Sequence, residues 1–219
     1  MESNEISKNI LKSGTSIVGI VCKEGVIMGA DRRATAGGQM VVSKNSKKVV
    51  KINDYITVSG AGVAADIDFY QKIFAAELRL KELKTKIRPS IEEAANLLGM
   101  LAYRNIRTPS MIPPIVGLLV AGVDEDGTTE LYSIEPAGTV TKVEDYDANF
   151  GSGMQYIYGL LERQYKKDLS IKEGIELVKE CLKSSTQRDT ASGNGIDVFA
   201  VTKSGVQQVV SEEIVAEYK

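Results

Sequence analysis

The sequence predicts a four-layer α+β fold, αββα, in which two antiparallel sheets lie face to face and a pair of helices covers each outer surface. Three observations lead to this prediction. Strand-like segments come in three groups, and two helical segments separate each group from the next. Neighbouring strands are joined mainly by short turns, which pair strands in the antiparallel direction. No linker-like stretch divides the 219 residues, so we expect one domain.

The first group of strands follows a polar leader. Its segments are rich in apolar and β-branched residues, which is typical of buried strands. The predicted strands are residues 15–22, 25–30, 48–52 and 55–58. Residues 23–25, 36–38 and 53–54 carry the glycine, asparagine and aspartate that favour turns.

Helical spacing then replaces the strand pattern, and two helices are predicted. Apolar residues at helical intervals place the first at about residues 64–84: Phe69, Ile73, Ala76, Leu80 and Leu83. Ser90 and Glu93 form a capping box that begins the second helix. The apolar residues on its face are Ile91, Ala94, Ala95, Leu98 and Leu101.

The second half of the chain repeats this order. Strands are predicted at residues 115–123, 130–134 and 139–143. The next helix is marked by Met154, Ile157, Tyr158, Leu161 and Tyr165. Ser170 and Glu173 cap a fourth helix, whose inward residues are Ile175, Val178, Cys181 and Leu182. A hairpin of residues 198–202 and 206–210 closes the domain.

Composition narrows the chemistry that this chain can perform. The sequence contains no histidine, which excludes Ser-His and Cys-His catalysis and histidine-based metal sites. Two cysteines cannot form a four-thiolate zinc site, so we expect no metal and no cofactor, and both thiols buried. An enzyme of this composition must take its proton chemistry from Lys, Asp, Glu, Tyr or a backbone amine.

The same survey argues against two classes of partner. A net charge of −2 gives no reason to expect nucleic acid or an anionic membrane surface. The longest uncharged run, residues 108–123, contains three prolines and is too short for a bilayer span. Residues 1–14 lack the apolar core of a secretory signal, so we expect a cytoplasmic protein.

Six short clusters lie where predicted strands or helices begin or end. They are residues 13–15 (SGT), 29–35 (GADRRAT), 44–48 (KNSKK), 59–66 (SGAGVAAD), 151–153 (GSG) and 188–195 (RDTASGNG). Each cluster alone is typical of a capped turn or a solvated strand end. Lys48 precedes two valines and is expected to point inward, where Asp31 is a candidate partner.

Together, in this order, the clusters resemble the β-type subunits of the proteasome, within the N-terminal nucleophile hydrolases. The resemblance covers the chain from residue 15 onward and implies the four-layer αββα sandwich of that family. The β type is favoured over the α type, because α-type subunits carry an additional N-terminal helix and no free threonine. The family more often has threonine where this chain has Ser16.

The resemblance assigns roles to particular residues. It implies Thr15 as nucleophile, Asp31 and Lys48 as its acidic and basic partners, Gly62 as the oxyanion-binding glycine, and Ser152, Asp189 and Ser192 as the residues that orient the amine of the threonine. It implies substrate contacts at Ala34, Thr35, Gly60, Gly62 and Ala64. Arg33 matches a structural arginine, and Lys48 is preferred to Lys47 because it directly precedes the apolar strand.

The chemistry of these residues explains the absence of histidine. A threonine hydroxyl needs a base, and a free α-amine with a pKa of about 7.7–8.0 can serve. The positive charge of Lys48, held by Asp31, would favour proton loss from Thr15, and Gly62 N–H would bind the oxyanion. We therefore expect residues 1–14 to be an autocatalytically removed propeptide and residues 15–219 the catalytic domain.

The resemblance also implies partners and leaves alternatives open. It implies other β-type subunits in a heptameric ring, α-type subunits, an ATPase unfoldase and unfolded protein substrates, with an archaeal character. Gly60 and Asp68 suggest that basic residues are accepted before the scissile bond. The alternatives are a non-catalytic β-type subunit, a bacterial two-ring threonine protease and a small-molecule-binding α/β domain. The presence of Thr15, Asp31 and Lys48 together argues against the first.

Overall fold

The computed structural model describes residues 14–36, 40–111 and 114–214, in which strands and helices follow the predicted order. The strands are β1 (Ile17–Cys22), β2 (Gly25–Asp31), β3 (Ala34–Ala36), β4 (Met40–Ser43), β5 (Val49–Lys51), β6 (Ile56–Gly62), β7 (Val116–Val123), β8 (Thr129–Ile134), β9 (Val140–Lys142), β10 (Tyr146–Asp147), β11 (Gly195–Thr202) and β12 (Gly205–Glu213). The helices are α1 (Ala64–Thr85), α2 (Ile91–Arg107), α3 (Met154–Gln164) and α4 (Ile171–Thr186).

These strands form two five-stranded sheets and a small ribbon. The first sheet has the order β10-β1-β2-β11-β12, and the second has the order β5-β6-β7-β8-β9. Strands β3 and β4 pair with each other outside both sheets. All pairs among the described strands are antiparallel, which confirms the predicted sheet type.

The alternation of side chains along the strands builds two buried layers at once. In β1, Ile17 belongs to the core between the two sheets, whereas Val18 packs against α3 and α4. In β7, Leu119 faces the core between the sheets and Val120 faces α1 and α2. Both faces of each strand are therefore buried, which explains why these strands are apolar along their whole length.

A pair of helices covers the outer face of each sheet. Helices α1 and α2 bury Phe74 and Leu98 against the second sheet, and α3 and α4 bury Leu161 and Val178 against the first. The result is the predicted αββα sandwich. Both predicted capping boxes are present, at Ser90 with Glu93 and at Ser170 with Glu173.

The buried face of α1 differs from the apolar stripe that predicted the helix. Phe69, Leu80 and Leu83 are 54%, 43% and 49% exposed, whereas Tyr70, Phe74 and Leu78 are buried. Both sets have helical spacing, so the spacing predicted the helix correctly. The direction in which the chain leaves β6 decides which set faces the sheet, and the sequence pattern does not encode that direction.

The short strands β3, β4 and β10 were not predicted. The predicted turn at residues 36–38 lies outside the described residues beyond Ala36. Both cysteines are free and buried, as expected, and burial raises the pKa of each thiol to about 12. Among the described helices, none combines the length and hydropathy that crossing a membrane requires.

Candidate active site

The start of β1 lies beside the end of β2, and this pairing brings Thr15 next to Asp31. Ile17 lies opposite Ala30 in the antiparallel register, so the residue before β1 reaches the last residue of β2. The N–H of Ser16 donates to Asp31 Oδ1 at 2.9 Å, and the carbonyl of Ser16 accepts from the N–H of Asp31 at 3.2 Å. Thr15 is only 3% exposed here.

Four donors surround the buried Asp31 carboxylate. Lys48 Nζ reaches Oδ1 at 2.6 Å, beside the contact from Ser16 N–H. The N–H groups of Arg33 and Gly193 each reach Oδ2 at 2.9 Å. A buried carboxylate is costly unless charged and hydrogen-bonding partners satisfy it. This strand end therefore supplies two donors to each oxygen of the buried Asp31 side chain.

Lys48, rather than Lys47, is the lysine that contacts Asp31. Lys48 directly precedes β5 and is buried, whereas Lys47 is exposed. Burial lowers the pKa of the Lys48 ammonium, and the neighbouring Asp31 charge offsets this effect only in part. A lysine with a lowered pKa releases and recovers a proton more readily than an exposed lysine.

A second polar group approaches Thr15 from the opposite half of the chain. The backbone N–H of Thr15 donates to Ser152 Oγ at 3.2 Å, and Ser152 Oγ donates to Asp189 Oδ2 at 2.5 Å. Ser192 Oγ donates to the same oxygen at 2.6 Å. The turn that precedes α3 fixes Ser152, because the N–H of Gly153 donates to the carbonyl of Thr15 at 3.2 Å.

Gly14 is held tightly between these two groups. Thr15 Oγ1 donates to the Gly14 carbonyl oxygen at 2.7 Å, and Gly14 N–H donates to Thr35 Oγ1 at 3.3 Å. A Cβ added at Gly14 would lie 1.8 Å from Ala191 Cβ and 2.8 Å from Ser152 Oγ. Only glycine fits at this position.

A cleft of about 280 Å³ opens beside Thr15. It is lined by Gly14, Thr15, Ala34, Thr35, Val42, Ser46, Lys47, Lys48, Gly62, Ala64, Ile67, Asp68 and Gln71. Four of the five residues predicted to contact substrate are in this lining: Ala34, Thr35, Gly62 and Ala64. The nucleophile candidate and its lysine therefore face a space that an extended peptide could enter.

The fifth predicted contact, Gly60, is not in the cleft lining. A Cβ added there would meet Ile67 Cγ2 and Leu118 Cδ2, each at 3.0 Å, so Gly60 lies behind Ile67, which does line the cleft. Asp68 lines the cleft directly and forms an exposed ion pair with Lys72 at 2.6 Å. The acidic group that was expected near the cleft is therefore present.

Gly62 occupies the last position of β6, one residue before the N-cap of α1. Its φ is +142°, and an added Cβ would lie 2.3 Å from the carbonyl oxygen of Ile115. Both facts require glycine. The N-terminus of a helix carries partial positive charge, which favours an anion nearby.

Arg33 braces the loop that carries Asp189 and Ser192. Its Nε donates to Asn194 Oδ1 at 2.8 Å, and one of its terminal nitrogens donates to the carbonyl of Thr190 at 2.7 Å. It does not appear in the lining of the cleft. These contacts agree with the structural role that the resemblance implies for Arg33.

Two further side chains join the site without having been predicted. Ser16 contacts Ser192, and Ser185 contacts Ser16. Ser16 was noted only as a departure from the more frequent threonine. Ser185 carried one weak signal, a polar residue among the inward positions of α4. Neither position could be assigned without knowing how β1 and α4 meet.

The described geometry groups the candidate residues around Thr15 while Gly14 is still attached. The nitrogen of Thr15 is an amide while Gly14 is attached, so it has no basic lone pair, and its hydroxyl donates to the Gly14 carbonyl. Around it lie a lysine with lowered pKa, a buried aspartate and a serine–aspartate group. This set can support addition of a hydroxyl to a neighbouring carbonyl.

Comparison with known proteins finds relatives over nearly the whole chain. The family model described as proteasome subunit matches residues 11–201. Proteasome subunit beta 1 of Thermococcus onnurineus (strain NA1) is 40% identical over 204 residues, 93% of this chain and 96% of that protein. Proteasome subunit beta of Nanoarchaeum equitans (strain Kin4-M) is 37% identical over 198 residues, 90% of this chain and 98% of that protein.

Proposed function

Because this chain belongs to the proteasome subunit family, as a β-type member that forms part of the core particle, we propose that it is a threonine endopeptidase that cleaves unfolded polypeptides. The observation that carries the proposal is the position of Thr15. Its hydroxyl lies 2.7 Å from the Gly14 carbonyl oxygen, at the mouth of a cleft that Lys48 also lines.

The first step in this proposal is removal of residues 1–14. Thr15 Oγ adds to the Gly14 carbonyl carbon, the C–N bond to Thr15 breaks, and the nitrogen takes up a proton. Water then hydrolyses the ester and releases residues 1–14. The close approach of hydroxyl and carbonyl supports this step, as does the absence of space for a side chain at Gly14.

The second step is turnover of substrate. The freed amine of Thr15 accepts the hydroxyl proton as Oγ attacks a peptide carbonyl, and it then protonates the leaving amine. Gly62, at the end of β6 just before α1, would donate its N–H to the oxyanion. Water releases the acylated product and restores the hydroxyl. Histidine is not needed, because the α-amine is itself a base suited to neutral pH.

The polar groups beside Thr15 have separate parts in this scheme. Asp31 holds Lys48 next to the nucleophile, where a lysine with lowered pKa stabilises or relays the hydroxyl proton. Ser152 Oγ accepts from the N–H of Thr15 and donates to Asp189, and these two residues would aim the amine after processing. Ser192 donates to the same oxygen of Asp189 that Ser152 contacts.

Assembly and specificity complete the proposal. Members of this family assemble with other proteasome subunits, and we extend this to a heptameric β ring, α-type rings and an ATPase unfoldase.

Asp68 lines the cleft and would accept basic side chains before the scissile bond. Asp68→Asn should then lower kcat/KM for peptides with Arg at that position more than for peptides with Leu. Equal effects on both peptides would refute this preference.

Peptidase activity of the assembled particle tests the proposed function. The chain is co-expressed with α-type proteasome subunits, and hydrolysis of fluorogenic peptides is compared for the wild type, Thr15→Ala and Thr141→Ala. We expect Thr15→Ala to be inactive but folded. Thr141 is an exposed residue of β9, so its variant should keep wild-type activity. Full activity in Thr15→Ala would refute the mechanism, and an inactive wild type in assembled particles would favour a non-catalytic subunit.

A further inference from the structure

A buried line of serine hydroxyls runs from α4 to the carboxylate of Asp189. Ser185 Oγ lies 2.6 Å from Ser16 Oγ, and Ser16 Oγ lies 2.8 Å from Ser192 Oγ. Ser192 Oγ donates to Asp189 Oδ2 at 2.6 Å. All three serines are 0% exposed, so their hydrogen bonds do not compete with solvent.

The direction of each hydrogen bond follows from the carboxylate at the end of the line. An ionised carboxylate only accepts, so the single hydroxyl hydrogen of Ser192 points to Asp189. Ser192 must then accept from Ser16, and Ser16 must accept from Ser185. The alternative acceptor of Ser185, the Leu182 carbonyl, is farther away at 3.2 Å. All three hydroxyl hydrogens therefore point toward Asp189.

The same oxygen of Asp189 holds Ser152. Asp189 Oδ2 accepts from Ser152 Oγ, and Ser152 Oγ accepts from the N–H of Thr15. The serine line thus ends on the atom that fixes the partner of the Thr15 nitrogen. Hydrogen bonds in a chain polarise one another, so the hydrogen bond from Ser16 to Ser192 strengthens the one from Ser192 to the Asp189 carboxylate.

We propose that Ser16 and Ser185 are positioning residues for the reaction at Thr15, acting through Ser192 and Asp189. The inference rests on the proposed function and deepens it. Neither serine lines the cleft, so neither touches substrate. Their hydroxyls hold the Asp189 carboxylate in the orientation that lets Ser152 receive the Thr15 nitrogen, before processing as an N–H donor and afterwards as the amine base.

Packing alone does not account for these hydroxyls. Ser185 is in the last turn of α4 among apolar inward residues such as Cys181 and Leu182, where serine has no advantage over alanine. Gly153 leaves the space that Ser16 fills, because a Cβ at Gly153 would lie 1.8 Å from Ser16 Oγ. The fold therefore reserves room for a hydroxyl at this point.

Alanine variants can separate positioning from folding. In Ser16→Ala, Ser192 still donates to Asp189 and Ser185 can turn its hydroxyl to the Leu182 carbonyl instead, so no buried donor is left without an acceptor. In Ser185→Ala, Ser16 still donates to Ser192. Both variants should fold. Ser133→Ala is the matched control, since Ser133 is a buried serine of β8 outside the cleft.

The test measures kcat and KM on particles assembled with α-type subunits, per processed chain counted by intact mass spectrometry. We expect Ser16→Ala and Ser185→Ala to lower kcat about tenfold with KM unchanged, and to slow loss of residues 1–14. Ser16→Thr, which keeps the hydroxyl, should recover most of the activity. Ser133→Ala should match the wild type.

Three other results would overturn the proposed role of Ser16 and Ser185. Wild-type kcat in both alanine variants would mean that the line has no part in the reaction. A loss that Ser16→Thr does not recover, or a lower Tm with unchanged kcat per processed chain, would mean a structural part only. An inactive wild type would overturn the proposed function as well, whereas an active wild type with unaffected variants would overturn this inference alone.

Discussion

At the scale of single residues, the buried side chain of Asp31 is stabilised by the donors that surround it. Both of its carboxylate oxygens have two donors, although its side chain is fully buried. Three of these donors are backbone N–H groups, which the β1–β2 pairing and the Arg188–Gly193 loop hold in place. Lys48 is the only one of the four that can move a proton.

The difference between Lys48 and the three backbone donors predicts how loss of the lysine affects activity and stability. Lys48→Met should lower peptidase kcat by about a hundredfold or more, because the proton-relaying group is lost. It should lower the free energy of unfolding by about 3 kcal/mol, since the three N–H donors continue to hold Asp31. Lys167→Met is the control, because Lys167 is an exposed lysine outside the cleft lining, and it should leave both quantities unchanged. Equal effects of the two variants would contradict the assignment of Lys48.

Gly14 offers a second test at this scale. Gly14→Ala should slow loss of residues 1–14 by about a hundredfold, because the new methyl group would overlap Ala191 and displace Ser152. Intact mass spectrometry over time measures the rate. Gly159→Ala is the matched control, since a Cβ there meets nothing within 4 Å, and it should be processed normally. Normal processing of Gly14→Ala would show that the close fit does not matter.

The individual residues were only partly predictable from the sequence. Thr15, Asp31, Lys48, Ser152 and Asp189 were named before the structure, and the structure brings them together. Gly60 was expected at the cleft wall, but the side chain of Ile67 in α1 packs against it and lines the cleft in its place, a contact that the strand sequence alone does not reveal. Ser185 went unnoticed, since its contact with Ser16 joins positions that are 169 residues apart.

At the scale of elements, the layer between the first sheet and α4 contains both thiols. Cys22 ends β1 and Cys181 lies in α4, and burial is the largest cause that raises the pKa of each from 9.0 to about 12. The folded state therefore favours the neutral thiols. Their contribution to stability is fully present below pH 9 and is lost as pH rises from about 9 to 12.

A paired variant checks this prediction. The free energy of unfolding of Cys22→Ala/Cys181→Ala should fall less steeply between pH 9 and 12 than that of the wild type. Buried tyrosines titrate in both proteins, so the difference between the two curves reports the thiols. Parallel curves over this range would contradict the burial argument.

The elements themselves were predicted best where the sequence signal is local. Both capping boxes are present because a serine and a glutamate three residues apart are sufficient to define one. The buried face of α1 was not predictable, since it carries two apolar stripes and only contact with the sheet selects Tyr70, Phe74 and Leu78. The ribbon of β3 and β4 depends on a pairing that short segments do not reveal.

At the scale of the whole molecule, the site is assembled from distant parts of the chain. Thr15 receives neighbours from the end of β2, from the start of β5, from the turn before α3 and from the loop after α4. These segments belong to both sheets and to the ends of α3 and α4, so they meet only when those parts of the fold have formed. Under the proposed function, Thr15 would therefore be inactive in a partly folded chain and would stay latent until the bond to Gly14 is broken.

Intact mass spectrometry of the chain in assembled particles tests this account most directly. The wild type, assembled with α-type subunits, should have the mass of residues 15–219, and Thr15→Ala under the same conditions should keep the mass of residues 1–219. That pair of results means that Thr15 removes its own leader and becomes the free N-terminus. A wild-type chain that retains residues 1–14 while hydrolysing peptides, or a Thr15→Ala chain that loses them at the same bond, would contradict it.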